Sequence, residues 1–180
     1  MNIWHDIEES RIKPHEFIAV VEIPMGSKVK YELDKETGVL KMDRILHTST
    51  HYPANYGFIP RTFADDGDPL DVLILCTEKI HPMVEVHCYP IGMFQMEDEM
   101  GVDEKIIAVP FADPVYNGYR DINLLPNHVE EEMRHFFSVY KALEGKKSIV
   151  GEIGNYNKAV EAIRRSMEMY KDRFATELDK

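Results

Sequence analysis

No run of eighteen apolar residues occurs in the chain, so no membrane-spanning helix is expected. The opening "MNIWHDIEES" is acidic and has no apolar core, so it does not read as a secretory leader. Cysteine is scarce. Cys76 and Cys88 are the two present, both within apolar stretches, and read as reduced core thiols in a cytoplasmic protein. Basic charge is also short: 21 Lys and Arg stand against 32 Asp and Glu, for a net charge of −11. That balance argues against a duplex DNA or RNA partner, which needs a basic surface. Repeats, low-complexity segments and long linkers are missing as well. One domain spanning 1–180, with 44% hydrophobic residues to build its core, is expected.

The first two-thirds reads mostly as β. "EFIAVVEI" (16–23) is rich in β-branched residues, and "KVKYEL" (28–33) alternates apolar and charged positions. "DKETG" turns the chain and "VLKMDRIL" (39–46) returns, which predicts a hairpin. Segments 70–75, 84–94 and 105–111 supply further strands. From Asn127, after Pro126, the apolar residues Val129, Met133, Phe136, Phe137 and Tyr140 recur at helical spacing until Gly145. Val160, Ile163, Met167, Tyr170 and Phe174 make a second helical stripe over 157–175. The fold class expected is α+β, a twisted sheet or small barrel with segregated helices, two of them C-terminal.

"ADDGDPLDVLIL" (64–75) crowds four aspartates before a buried strand. Asp66 and Asp68, two apart in extended chain, project to one side. Gly67 permits the tight path between them, Pro69 stiffens it, and Asp71 opens the strand. Convergent carboxylates suit Mg²⁺, Mn²⁺ or Ca²⁺ rather than zinc. An EF-hand does not fit, because the glycine falls between the first two aspartates and the twelfth position is Thr77. Taken alone, such a stretch is more often a solvated acidic turn before a strand. "MEDEMGVDEK" offers Asp98, Glu99, Asp103 and Lys105, although a solvated loop is the commoner meaning of such a run. Met93, Met96 and Met100 read as ordinary core and loop residues. Glu22, in an apolar strand, must be paired, protonated or near a metal. Lys30 and Glu32 read as a hairpin face, and Tyr52 and Tyr56 as loop tyrosines that either pack or donate hydroxyls. The histidines show no H-E-x-x-H or comparable ligand spacing.

The stretches "VVEIPMGSKVKYELD", "DRILHTSTHYPANYGFIP", "DDGDPLDVLIL", "MEDEMGVDEK" and "HFFSVYKALE", in this order, resemble the soluble family I inorganic pyrophosphatases over nearly the whole chain. The resemblance implies a five-stranded OB-like barrel flanked by helices, and Mg²⁺-dependent hydrolysis of pyrophosphate by in-line attack of a metal-activated water. It implies metal ligands at Asp66, Asp71, Asp98 and Asp103, and a general base at Asp68. It implies substrate contacts at Lys30, Arg44, Tyr56, Lys105, Tyr140 and Lys141, with Glu22, Glu32, Tyr52 and Glu99 supporting. The short prokaryotic-type members it resembles imply a homohexamer. Two rival readings are a non-catalytic OB-type nucleic-acid module, disfavoured by the charge, and a Ca²⁺-binding module, which leaves the cations unexplained.

Overall fold

A computed structural model describes residues 2–99 and 101–178. Its elements are α1 (Ile3–Asp6), β1 (Ile12–Lys13), β2 (Glu16–Ile23), β3 (Val29–Leu33), β4 (Leu40–Ile45), β5 (Asn55–Phe58), β6 (Asp71–Ile74), β7 (Glu85–Asp98), β8 (Gly101–Pro110), α2 (Asn127–Val139), β9 (Ile149–Asn155) and α3 (Tyr156–Leu178). Neighbours in the main sheet run β2-β5-β6-β8-β7, and β7 pairs back with β2, so these five strands close into a ring. Only β6 and β8 run parallel within it. In chain order the ring reads first, second, third, fifth, fourth and back to first, the five-stranded OB arrangement that the resemblance implied.

β2 is apolar on successive residues because both its faces are covered, and Phe17 to Ile23 are all buried. β5 approaches it so closely that a Cβ on Gly57 would sit 1.8 Å from the Val20 carbonyl oxygen, so no other residue fits there. Met133, Phe136 and Phe137 of α2 close one side of the barrel. Ala159, Ala162 and Ile163 of α3 lie fully buried on another. The expected hairpin forms as β3–β4, a separate two-stranded sheet whose turn is fixed by Asp34 Oδ1 accepting from the N–H groups of Glu36 and Thr37, each at 3.0 Å. Among the described residues no helix is long and apolar enough to cross a membrane.

Four segments depart from the expectation. Tyr56 is in a strand, not a loop. Residues 96–99 and 101–105 are not a solvated loop but part of the β7–β8 hairpin, where Met96 pairs with Asp103 and Asp98 with Gly101. β9 was unforeseen, and Gly145, in the left-handed region at φ 75°, closes a short 3₁₀ turn (Ala142–Glu144) rather than α2 itself. Met93 and Met96 are buried as expected. The reading of Met100 lies outside the described residues.

Candidate active site

A cleft of about 770 Å³ opens between the β3–β4 hairpin, the 64–71 loop, the β7–β8 tip and the end of α2. Lys105, only 3% exposed, is its hub: the ammonium donates to Asp103 at 2.6 Å, to Asp71 at 2.7 Å and to the Tyr56 hydroxyl at 2.9 Å. The parallel register that sets Asp71 beside Lys105 brings the first two together. Tyr56 in turn donates to Asp71 at 2.5 Å. Burial would depress the Lys105 ammonium, but Asp103 and Asp71 hold it well above the ordinary lysine range. Burial pushes Asp103 up to about 6 against the pull of Lys105, and raises Asp66, with Asp71 adding to both.

Glu22 occupies the bulge that shifts the β2–β5 register between Val21 and Ile23, which turns its carboxyl into the cleft. The Leu33 N–H donates to it at 2.7 Å, yet burial, reinforced by Asp71, pushes it up to about 8. Burial thus favours its protonated form at neutral pH. Tyr52 packs between Phe136 and Tyr56, with ring centroids 4.8 and 5.5 Å away, and burial holds its hydroxyl protonated. Tyr140 is buried against Phe136 and Phe137, as its place in the apolar stripe implied, and also lines the cleft. Lys141 donates to Asp98 at 2.7 Å.

The aspartate loop does not draw Asp66, Asp68 and Asp71 to one point. Asp66 Oδ1 accepts from the Asp68 N–H at 3.0 Å across Gly67, whose φ of +85° demands glycine, while the Asp68 carboxylate is ion-paired with Lys35. Lys30 is paired with Glu32 and lies 3.1 Å from Asp43. Arg44 does not line the cleft; it pairs with Asp43 at 2.5 Å and Glu144 at 2.8 Å. Glu99 stands outside too, 3.4 Å from Lys146. The remaining residues expected of the site line the cleft. Lys35, Asp34, Glu36 and Lys41 also line it and had signalled only a turn or a strand face in the sequence; no spacing rule places residue 35 beside residue 68.

The cleft is lined by Glu22, Glu32, Asp34, Glu36, Asp66, Asp68, Asp71, Asp98 and Asp103 against Lys30, Lys35, Lys41, Lys105 and Lys141. With Glu22 neutral, eight carboxylates face five ammonium groups. An anionic ligand therefore needs further positive charge. All the spare donors are hard carboxylate oxygens, which fit a divalent cation of the alkaline-earth type, and no His or Cys lines the cleft to favour zinc. Among the described residues no three such groups are gathered tightly enough to hold an ion. Lys105 and Lys141 draw Asp71, Asp103 and Asp98 to themselves instead.

Comparison with known proteins gives a consistent result. A family model for inorganic pyrophosphatase matches residues 19–171. The "Soluble inorganic pyrophosphatase 2" of Chlamydomonas reinhardtii is 45% identical over 171 residues, spanning 95% of this chain and 89% of its own. The "Inorganic pyrophosphatase" of Aquifex pyrophilus is 46% identical over 171 residues, 93% of this chain and 97% of its own. The crystal structure of inorganic pyrophosphatase from Thermus thermophilus superposes with a TM-score of 0.89 at 39% identity, covering 95% of this chain and 99% of that one.

Proposed function

This chain belongs to the inorganic pyrophosphatase family, and on that premise we propose that it hydrolyses inorganic pyrophosphate to two phosphates. The observation that carries the reading is the excess of carboxylates over lysines in one cleft. Such a pocket excludes a bare anion and accepts one that arrives with divalent cations. Membership implies a divalent metal requirement; we assign Mg²⁺, with Asp66, Asp71, Asp98 and Asp103 to hold it. When bound, the cation neutralises charge between carboxylate and phosphate oxygens and makes nearby water more acidic.

The chain's own groups do the rest. Asp68, at the cleft rim, takes the proton of the attacking water as its oxygen bonds to one phosphorus and the bridging P–O bond breaks. The pair of electrons from that bond leaves with the second phosphate. Lys30, Lys105 and Lys141 neutralise the phosphoryl oxygens, while Tyr56 and Tyr140 donate to them. One well-placed donor of this kind is worth about 3 kcal/mol in the transition state. Glu22, Glu32 and Tyr52 support these groups. Residues 1–180 act as one domain in the cytoplasm. Val115, Leu124 and Ile149, apolar and exposed, are consistent with assembly into a homohexamer, which sedimentation would detect as a sixfold mass. Incubation of the protein with pyrophosphate, with and without Mg²⁺, tests the reading. Phosphate should appear only with the cation, and its absence in both would reject the activity.

A further inference from the structure

The N-terminal turn lies ahead of the matched family region (19–171) and has no part in the chemistry above, yet its hydrogen bonds reach both walls of the cleft. Trp4, 4% exposed, donates its indole N–H to the Thr62 carbonyl at 2.9 Å. Its own carbonyl accepts from the Arg61 N–H at 3.0 Å, and the Ile7 carbonyl accepts from the Arg61 side chain. Arg61 is held in the left-handed region at φ 55°, a strained conformation for arginine that persists only when neighbours impose it. Thr62, wholly buried, is the base of the aspartate loop: its hydroxyl accepts from the Leu70 N–H at 2.8 Å and so closes 62–70, the segment that carries Asp66 and Asp68. On the other wall, the Asn2 side chain donates to the Lys35 carbonyl at 3.0 Å while accepting from the Trp4 N–H at 3.1 Å. Lys35 is the residue whose ammonium meets Asp68.

We propose that residues 2–7 are a brace across the cleft, tying the aspartate loop and the Asp34–Gly38 turn together so that Trp4, through Thr62 and Lys35, positions Asp68 for the attacking water. Packing alone does not account for this pattern. Phe63, Tyr170 and Phe174 surround the indole with centroids 5.4 to 6.4 Å away and would hold a phenyl ring as well, but a phenyl ring has no donor for Thr62. The kinetic consequence rests on the pyrophosphatase reading; the mechanical one does not.

The test is Trp4→Phe, which keeps a ring in the cluster and deletes the N–H. Asp113→Asn, remote from the cleft, is the control for general destabilisation. Peptide-resolved hydrogen exchange should show opening of 62–70 quickened about tenfold in Trp4→Phe and unchanged in Asp113→Asn. Below both unfolding transitions, kcat for magnesium pyrophosphate should fall at least fivefold in Trp4→Phe, with KM within twofold, and stay near normal in the control. Should Trp4→Phe fail to fold, the surface change Asn2→Ala decides by the same readouts at 34–38 and 64–68. Unchanged exchange there overturns the brace, whether or not the wild type turns over pyrophosphate. Changed exchange with unaltered kcat overturns its role in positioning Asp68.

Discussion

Lys105→Met would expose the electrostatic design of the cleft. Methionine nearly preserves the length and volume of the lysine stem, so what is lost is the charge. The Lys105 nitrogen lies 2.7 Å from Asp71 and 2.6 Å from Asp103, and the side chain is 3% exposed. Without it, two carboxylates bound to the same nitrogen face each other across no more than about 5 Å, and at an effective dielectric of ~20 they repel by about 3 kcal/mol. Removing one partner from a buried ion pair commonly costs about 3–5 kcal/mol. The loss should depend on pH with a definite sign. Asp103 already sits at about 6 in the folded state, above its unfolded value, and loses the group that pulls it down. The folded variant therefore holds more protons than the unfolded chain, and its stability falls as pH rises from the unfolded carboxylate value through 6 and beyond. Urea unfolding without divalent cations should show a loss of about 3–5 kcal/mol at pH 8 and roughly 2 kcal/mol less at pH 5. An equal loss at both pH values would mean that Lys105 acts through packing, and would refute the reasoning.

Other perturbations probe other links. Glu22→Gln mimics the protonated carboxyl and keeps an acceptor for the Leu33 N–H, so the variant should match the wild type in denaturant near pH 4, where the carboxyl is largely protonated in the folded and the unfolded chain alike. At pH 9 it should be the more stable, because the wild-type group, raised to about 8, loses stability as pH climbs from its unfolded value toward and through 8. Asp113 accepts from the N–H groups of Thr77, Val115 and Tyr116 at 2.7 to 3.0 Å; against a desolvation effect that raises it, these bonds hold it down at about 2. Its contribution, about 2 kcal/mol, is present above the unfolded carboxylate value and lost as pH falls through 2. Asp113→Asn should thus unfold at lower urea at pH 7, and the difference should shrink in acid. Gly57→Ala places a methyl group 1.8 Å from the Val20 carbonyl oxygen and should abolish the folded barrel, read as loss of the cooperative thermal transition by circular dichroism.

The parts legible in the sequence were those whose signal is local. β2 appears at its expected bounds because both faces are buried and the run is apolar but for Glu16 and Glu22. The β3–β4 hairpin was marked by its turn, and α2 and α3 by stripes at helical spacing, α3 running slightly past 157–175 at both ends. β5 was hidden by its four-residue length and by Gly57, which serves a close approach between strands that no pattern records. β9 was hidden by Gly151 and Gly154, which weaken a strand signal. The β7–β8 tip was disguised because an acidic run of this kind usually marks a solvated loop, whereas Asp98 and Asp103 line the cleft. Within the site, the spacing of Asp66, Asp68 and Asp71 pointed to a cation. The convergence of Lys105 with Asp71 was legible only through family resemblance, since it arises from the parallel register of two strands distant in sequence. The reach of Lys35 to Asp68 and of Trp4 to Thr62 comes from tertiary placement alone.

The central claim is that an acidic cleft with Asp68 at its rim hydrolyses pyrophosphate. The most direct measurement is the rate of phosphate release in Mg²⁺ by the wild type and by Asp68→Asn, with cation binding followed by calorimetry on both. Rapid release by the wild type, loss of at least a hundredfold in the variant and retained cation binding are the predicted results. Near-normal release by Asp68→Asn would remove that residue from the proton transfer, and no release by folded, cation-loaded wild type would contradict the account.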